Sequence, residues 1–229
     1  MARFRTFDDT LGIALPATLK DYVEDGLGKA RVSLGAKPAR TFANNDLAGL
    51  GFAVRLIGSG SLVNSTVHRG TWHGNTTTTS DEIGFLGPNA LTAADDWSLY
   101  CRVVVDLTST TPEFWFGLKD SGSFSDENNV IAWRVLGGGS NFEGVCDNGG
   151  TETTRNSGTA EGTTERTLGL EVSAGGTIVR FIFDGVQVGA DVTDNIPSST
   201  SMEMVCGLLS DSGNDGNMHV SAIEGFRDA

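Results

Sequence analysis

The sequence predicts an all-β domain, and three features of the residues after position 50 support that prediction. Apolar and polar residues alternate with a period of two along many short runs, which is typical of strands with one buried face. Turn-forming Gly, Asp, Asn and Pro residues separate about a dozen such runs at intervals of roughly 8–12 residues, a spacing typical of antiparallel sandwiches and barrels. No helical period in this region exceeds two turns. The 31 glycines among 229 residues fit many short strands joined by tight turns.

Residues 1–45 differ from the rest, so we predict two regions: an N-terminal anchoring segment over 1–45 and a β domain over 46–229. The first region has a net charge of +2, which leaves −15 for the remainder. One short helix is expected there, capped by Thr18, with Leu19, Tyr22 and Val23 on one face and Gly26 or Gly28 as its end. Two interpretations stay open. The segment is either a strand and loop packed on the same domain or an arm that reaches a neighbouring subunit.

The predicted strands follow one another from residue 50 onward. In chain order they are Phe52–Ile57, Leu62–Val67, a short run at Thr71–His73, Ile83–Leu86, Trp97–Asp106, Glu113–Leu118, Asn129–Val135, Asn141–Cys146, Leu168–Val172, Val179–Phe183, Val186–Val188, Met202–Leu209 and Asn217–Phe226. Trp97–Asp106 alternates most cleanly, which indicates a strand with one face on the core.

The strongest hairpin spans Thr167–Gly189. Two alternating runs flank the Ser-Ala-Gly-Gly turn at 173–176, and an Asp184-Gly185 turn leads into a third run. Such turn dipeptides between β-branched and aromatic runs predict consecutive antiparallel strands.

Charge and cysteine content restrict the function classes. With 16 Lys and Arg against 29 Asp and Glu, the net charge is −13, and such a surface repels phosphate backbones, so we expect no nucleic-acid partner. No run approaches the roughly 18 apolar residues of a membrane span, and MARFRTFDDT lacks the apolar core of a secretory signal. Cys101, Cys146 and Cys206 have no metal-binding spacing and are predicted to be buried free thiols. We therefore expect folding in a reducing cytoplasm.

The order of these strands resembles a known family. The runs WSLYCRVVVD, EFWFGLKDSG, NVIAWRV, TLGLEVSAGGTIVRFIFDGVQVG and MVCGLLSDSG are similar to the concanavalin A-like lectin/glucanase jelly roll, especially its laminin-G-like branch. Phe181-Ile182-Phe183-Asp184-Gly185 matches the aromatic–x–aromatic–Asp-Gly turn of that branch. The resemblance covers roughly residues 50–228 and implies an antiparallel two-sheet jelly-roll sandwich. Domains of this kind occur in glycosidases, lectins, adhesion modules and bacteriophage virion proteins, so the fold does not choose the function.

No catalytic set is visible in the sequence. Glycoside hydrolysis needs two carboxyl groups roughly 5–10 Å apart, and no predicted strand carries two acids at i, i+2 or i, i+4. The adjacent pairs Asp95-Asp96 and Asp126-Glu127 fall in turns. His68, His73 and His219 lack a nucleophile elbow and the further ligands that a zinc site needs. We therefore expect a protein that is not an enzyme.

Two kinds of binding residue are candidates. Trp72, His73, Trp115 and Trp133 are candidates for sugar contacts, with the alternative that the tryptophans form core. Two loops rich in Asp, Asn and Gly offer oxygen ligands for calcium, with Asp120 and Asp126 in one and Asp211 and Asp215 in the other. Neither loop matches the calcium loop of a helix–loop–helix hand, and no cofactor is otherwise implied.

The expected function is structural. The sequence combines an acidic, β-rich body with a distinct N-terminal segment and shows no secretory signal. This combination is typical of a virion protein, so we predict a bacteriophage capsid-decorating or other virion surface protein. This role implies docking through the N-terminal arm on the major capsid protein or other virion proteins, and a homo-oligomer. The alternatives are a carbohydrate-binding lectin-like module or tail or fibre adhesin that binds a cell-surface glycan and, less favoured, a glycoside hydrolase.

Overall fold

Every regular element in the described part of the chain is a β-strand. The computed structural model describes residues 23–24, 29–35, 53–64, 72–77, 80–91, 94, 96–120, 124, 128–197, 201–210 and 216–228. The strands are β1 (Val23–Glu24), β2 (Lys29–Gly35), β3 (Ala53–Ile57), β4 (Ser61–Asn64), β5 (Trp72–Thr76), β6 (Asp81–Leu91), β7 (Trp97–Leu107), β8 (Pro112–Lys119), β9 (Asn129–Leu136), β10 (Asn141–Asn148), β11 (Glu152–Ala160), β12 (Gly162–Ser173), β13 (Ile178–Phe183), β14 (Val186–Gln187), β15 (Met202–Ser210) and β16 (Gly216–Asp228).

The strands form two antiparallel sheets. The nine-stranded sheet has the order β1-β2-β16-β7-β12-β13-β14, with β5 paired to β16 and β4 paired to β5. The seven-stranded sheet has the order β11-β10-β9-β8-β15-β6-β3. Strands that are distant in sequence are neighbours in both sheets, as in a jelly roll. The predicted all-β two-sheet jelly-roll sandwich is therefore confirmed.

The hydrophobic core lies between the sheets. From the nine-stranded sheet, alternate residues of β7, β12 and β13 point into it, among them Cys101, Leu170 and Phe181. The seven-stranded sheet contributes Phe116 and Trp133. Trp133 Nε1 donates a hydrogen bond of 2.8 Å to the carbonyl of Gly169 on the opposite sheet, and its ring meets Phe181 edge to face with centroids 5.4 Å apart. The buried indole thus combines a satisfied polar group with aromatic packing.

The hairpin of β12 and β13 has the register that its alternation predicts. Leu170 is paired with Phe181 on the core face, and Glu171 is paired with Arg180 on the outer face. At the following turn Asp184 and Gly185 have φ values of 49° and 81°, and the type I′ turn requires positive φ at both positions. Asp184 Oδ1 accepts a hydrogen bond of 2.8 Å from the amide of Thr167, which stabilises the turn.

The N-terminal region is described only in part. The predicted helix lies mostly outside the described residues, but Val23, on its apolar face, belongs to β1 and is paired with Arg31 of β2. Strand pairing at Val23 thus overrides the short apolar period that predicted a helix. In turn β2 pairs with β16, from Ala222–Gly35 to Asp228–Lys29, so residues 29–35 extend the nine-stranded sheet. This pairing fits the interpretation in which the segment packs on the same domain. The boundary at residue 45 lies outside the described residues.

All three cysteines are buried and free. Cys101 of β7 and Cys206 of β15 face each other across the core, with 4.0 Å between their sulfur atoms. Burial raises the pKa of the Cys101 and Cys146 thiols well above the ordinary value, so both are protonated at neutral pH. In the described part of the chain, no helix has the length and apolar character to cross a bilayer.

Candidate functional site

The outer face of the seven-stranded sheet, which points away from the core, carries a mixture of charged, aromatic and small residues. Successive strand partners form one row across all seven strands. From β3 to β11 the row is Arg55, Gly84, Gly207, Trp115, Arg134, Glu143 and Asn156. This row has two parts that differ in what lies above them.

The first part, which we call the covered half, lies around Gly84, Gly207 and Trp115. Phe124 is fully buried above it, and a Cβ atom on Gly207 would lie 2.5 Å from Cζ of the Phe124 ring. The two glycines therefore make room for the phenylalanine. Further apolar side chains complete this second hydrophobic cluster, namely Val130, Ala132, Val145, Val205 and Leu209.

A buried lysine forms a hydrogen bond to the backbone of Phe124. Lys119 is fully buried, and its Nζ donates a hydrogen bond of 2.8 Å to the carbonyl of Phe124. The same ammonium lies 4.1 Å from the ring centroid of Trp115, within cation–π range. The indole Nε1 of Trp115 donates to Glu113 at 3.0 Å. The covered half is thus closed by apolar packing and by bonds to buried polar groups.

The second part, which we call the open half, lies at the β9–β11 end of the sheet. It contains a surface pocket of about 350 Å³, lined by Arg134, Leu136, Gly139, Ser140, Asn141, Glu143 and Asn156. Leu136 is 41% exposed there and offers an apolar surface beside the polar groups of the pocket. A pocket of this size lies at the lower end of the range for small-molecule sites.

Arg134 forms the floor of the open half. Its guanidinium makes four hydrogen bonds, two to Glu143 at 2.9 and 3.1 Å and two to Glu152, of which one is 2.8 Å. Its side chain is 8% exposed, against 25% for Glu143 and 32% for Glu152. Burial acts to lower the pKa of Arg134, but the hydrogen bonds and charges of Glu152 and Glu143 outweigh it and raise that pKa. The arginine is therefore a fixed cation that bonds two more exposed carboxylates through four of its five N–H groups.

Several polar atoms of the open half remain available to a ligand. Asn141 Nδ2 donates to Asn156 Oδ1 at 3.0 Å, and that oxygen also accepts from the amide of Gly158 at 2.7 Å. Within the described ranges, Asn141 Oδ1, Asn156 Nδ2 and Glu143 Oε1 make no hydrogen bond. Beside the exposed Leu136 the pocket therefore presents two acceptors and the donor group of Asn156, and one further N–H lies on the buried Arg134.

Glu161, in the crossover from β11 to β12, positions the wall of the pocket. Its two carboxylate oxygens accept hydrogen bonds from the amides of Gly139 at 2.8 Å and Leu107 at 3.0 Å. Its own amide donates to the carbonyl of Ser140 at 3.0 Å. Gly139 has a φ of 79°, a conformation that favours glycine. One carboxylate thus links the β9–β10 turn to the end of β7.

The residues predicted to contact sugars lie in different places. Trp72 and Trp133 are in the core, where Trp72 meets Phe85 edge to face at 5.7 Å. Trp115 is fully buried in the covered half. His73 is on the outer face of the nine-stranded sheet, stacked on His219 at 4.5 Å and within 3.1 Å of Asn217 Oδ1. The structure does not bring these four residues together.

The calcium candidates are only partly described. Asp126, Asp211 and Asp215 lie outside the described residues. Asp120 accepts a hydrogen bond of 2.7 Å from Asn129 Nδ2. In the described ranges, no group of three or more His, Cys, Asp or Glu side chains is arranged to hold a metal ion.

Sequence reasoning missed the central residues of the open half, although a pattern for two of them was present. Arg134 interrupts the apolar run NVIAWRV, and Glu143 interrupts NFEGVC. A hairpin closed by Gly-Gly-Gly-Ser at 137–140 pairs these two positions directly, as observed. The third partner, Glu152, comes from β11, whose all-polar sequence ETTRNSGTA gave no apolar alternation to predict a strand.

Comparison with solved structures identifies the fold. The potassium-bound carbohydrate recognition domain of Emp46p has a TM-score of 0.58 at 9% identity, covering 84% of this chain and 95% of that domain. The corresponding domain of Emp47p has a TM-score of 0.56 at 11% identity, covering 86% and 95%. The family 7 alginate lyase A1-II′ in complex with a substrate has a TM-score of 0.56 at 9% identity, covering 76% and 84%.

These similarities show the fold, which is the concanavalin A-like jelly-roll sandwich of lectin domains and alginate lyases. No protein-family model matches the sequence. No curated protein matches it either. The neighbours include both carbohydrate recognition domains and enzymes that act on a polysaccharide.

Proposed function

We propose that this protein is a non-enzymatic carbohydrate-binding module and that the open half of the seven-stranded sheet is its binding site. The observation that supports this most directly is the combination of an exposed Leu136 with uncommitted amide and carboxylate atoms in one pocket. The alternative predicted from the sequence, a lectin-like module, thus becomes the main hypothesis.

The chemistry of the pocket suits a sugar. Each sugar hydroxyl both donates and accepts hydrogen bonds, so it needs an acceptor such as Glu143 Oε1 and a donor such as Asn156 Nδ2 side by side. The C–H face of a pyranose ring is apolar and can pack on Leu136. The pocket is open, so water remains at its rim, as is common in polar interfaces.

The structural neighbours support the proposal at the level of fold. Two of them are named as carbohydrate recognition domains, and a third belongs to a set of endo-acting O-glycanases with a TM-score of 0.54 at 10% identity. Those ligands and activities belong to those proteins. For this chain the argument depends on the residues of the open half.

A pair of matched leucine variants tests the proposal. Leu136→Ala in the open half and Leu56→Ala on β3 remove leucines of similar exposure, 41% and 43%. After a glycan array identifies a binding sugar, calorimetric titration should show at least a tenfold loss of affinity for Leu136→Ala and none for Leu56→Ala. Equal affinity in both variants would place the site elsewhere, and an array without any bound glycan would reject the proposal.

The virion role predicted from the sequence is a further proposal, compatible with glycan binding in a surface or tail adhesin. Its support is the distinct charge of residues 1–45 and the free thiols. Because β2 begins at Lys29 and is part of the nine-stranded sheet, the appropriate deletion removes residues 1–22 only. We expect that deletion to abolish co-sedimentation with capsid shells without unfolding the sandwich. Retained co-sedimentation would reject docking through the N-terminus.

A further inference from the structure

We infer that the open half selects neutral sugars and discriminates against uronates and other anionic sugars. This inference rests on the proposed function and adds the chemical class of the ligand. It follows from the charges that the pocket presents, from their burial, and from the hydrogen bonds already made inside it.

The first step is the charge balance. One guanidinium, Arg134, faces two carboxylates, Glu143 and Glu152, so the cluster carries a net negative charge. Glu161 places another carboxylate behind the turn at Gly139, which is part of the pocket wall. No Lys or other Arg is among the residues that line the pocket. A ligand carboxylate would therefore approach like charge.

The second step concerns access to Arg134. A guanidinium has five N–H donors, and here four hydrogen bonds go to the two glutamates. The arginine is also the most buried member of the cluster, at 8% side-chain exposure against 25% for Glu143 and 32% for Glu152. A uronate would have to displace a glutamate to form a bidentate bond with Arg134. Arg134 thus serves to hold the two glutamates and is not placed to bind a ligand carboxylate.

The third step concerns what the remaining atoms recognise. Glu143 Oε1 and Asn141 Oδ1 are acceptors, and the donors left in the pocket are those of Asn156 Nδ2 and one N–H of the buried Arg134. The two acceptors fit hydroxyl groups, which can donate, and disfavour a carboxylate, which can only accept. Neutral hexoses and N-acetylhexosamines meet this requirement. Alginate, the polymer named for several neighbours of the same fold, is built of uronates and does not.

The test compares neutral and uronate oligosaccharides of equal length on the full chain. Manno- and N-acetylglucosamine oligomers are titrated against mannuronate and galacturonate oligomers by calorimetry, at roughly 0.02 and 0.15 M salt. We expect neutral oligomers to bind at least ten times more tightly than uronates. Any residual uronate binding should strengthen as salt rises, because salt screens the repulsion.

Glu152→Gln is the diagnostic variant, because Glu152 contributes charge without lining the pocket. We expect it to raise the affinity for uronates at least threefold relative to the affinity for neutral sugars. Asp191→Asn, which neutralises a carboxylate paired with Arg180 on the nine-stranded sheet, is the control and should change neither.

The outcomes are distinguishable. Tighter binding of uronates than of neutral sugars, lost in Leu136→Ala, would overturn the selectivity but leave the proposed function standing. Binding of neither class would overturn both. An equal response of Glu152→Gln and Asp191→Asn would show that overall charge, not this cluster, sets the preference, and would also overturn the inference.

Discussion

The covered and open halves belong to one row of residues on one sheet face, yet they differ in nearly every physical respect. In the covered half, two glycines admit Phe124 and the face is closed by apolar contacts. In the open half, Arg134, Glu143 and Asn156 continue the row, Glu152 bonds Arg134 from another position of β11, and the surface stays polar. The comparison teaches that one half contributes stability while the other is free to contribute binding. Substitutions in the covered half should therefore lower the unfolding free energy, and substitutions in the open half should lower the affinity for sugar.

The largest effect on stability is expected in the covered half. Phe124→Ala removes a fully buried ring from its place above Gly84 and Gly207, and such truncations cost roughly 3–5 kcal/mol of unfolding free energy. Urea denaturation should show this loss. A loss below about 1 kcal/mol would mean that the segment carrying Phe124 closes over the cavity, and the covered half would then stabilise less than proposed.

A smaller loss of stability is expected at Arg134, on the floor of the open half. Arg134→Met leaves Glu143 and Glu152 facing each other without a cation, and we expect a cost of about 2 kcal/mol because the two carboxylates are partly solvated. Adding Glu143→Gln and Glu152→Gln should recover most of that cost, since the destabilisation comes from unpaired charge. A triple variant as unstable as the single one would contradict this and indicate that the lost contact between the Arg134 guanidinium and the Trp115 ring is the cause instead.

Replacement of Asp147, on the outer face of β10, is expected to stabilise the protein in a pH-dependent way. Burial raises the pKa of its carboxyl above the ordinary value and the charge of Glu152 adds to the rise, while the amide of Gly150 and the charge of Arg134 oppose it. The unfolded chain releases this proton near pH 3.9, so the native state loses stability as pH rises from there through the raised folded pKa. Asp147→Asn should therefore stabilise the protein near pH 7. The gain should disappear near pH 3, and a gain of equal size at both pH values would exclude this cause.

The smallest effect on stability is expected at the exposed leucine of the open half. Leu136→Ala should change the unfolding free energy by less than about 0.5 kcal/mol, as is usual for surface positions, while it removes sugar binding. Paired with Phe124→Ala, it gives the sharpest contrast between the halves. A Leu136→Ala variant as unstable as Phe124→Ala would remove the distinction.

Much of the fold was predictable because it follows from local patterns. The clean alternation in Trp97–Asp106 and the Asp184-Gly185 turn depend on strand period and turn chemistry, which neighbouring residues determine. The strand β11 was not predictable in this way, because this edge strand has no apolar alternation: its residues are exposed on one face, half-buried on the other and polar on both.

The site was harder to predict, because it depends on contacts between distant elements. The Arg134–Glu143 pair follows from a short hairpin and could have been found from sequence. The burial of Trp115 could not, since it requires Phe124, from the polar run DSGSFSDENN, to cover Gly84 and Gly207 on two other strands. Single-sequence patterns show which face of a strand is apolar but not what covers a second apolar face.

The reactivity of the facing thiols of Cys101 and Cys206 can report when the two sheets separate. One belongs to each sheet, both are buried, and no alkylating reagent can reach either sulfur while the sheets remain in contact. The rate at which iodoacetamide modifies this pair, followed by peptide mass spectrometry that separates it from Cys146, therefore reports how often the sheets separate. Performed with and without a bound sugar, the same measurement would reveal whether occupation of the outer pocket slows the breathing of the core beneath it.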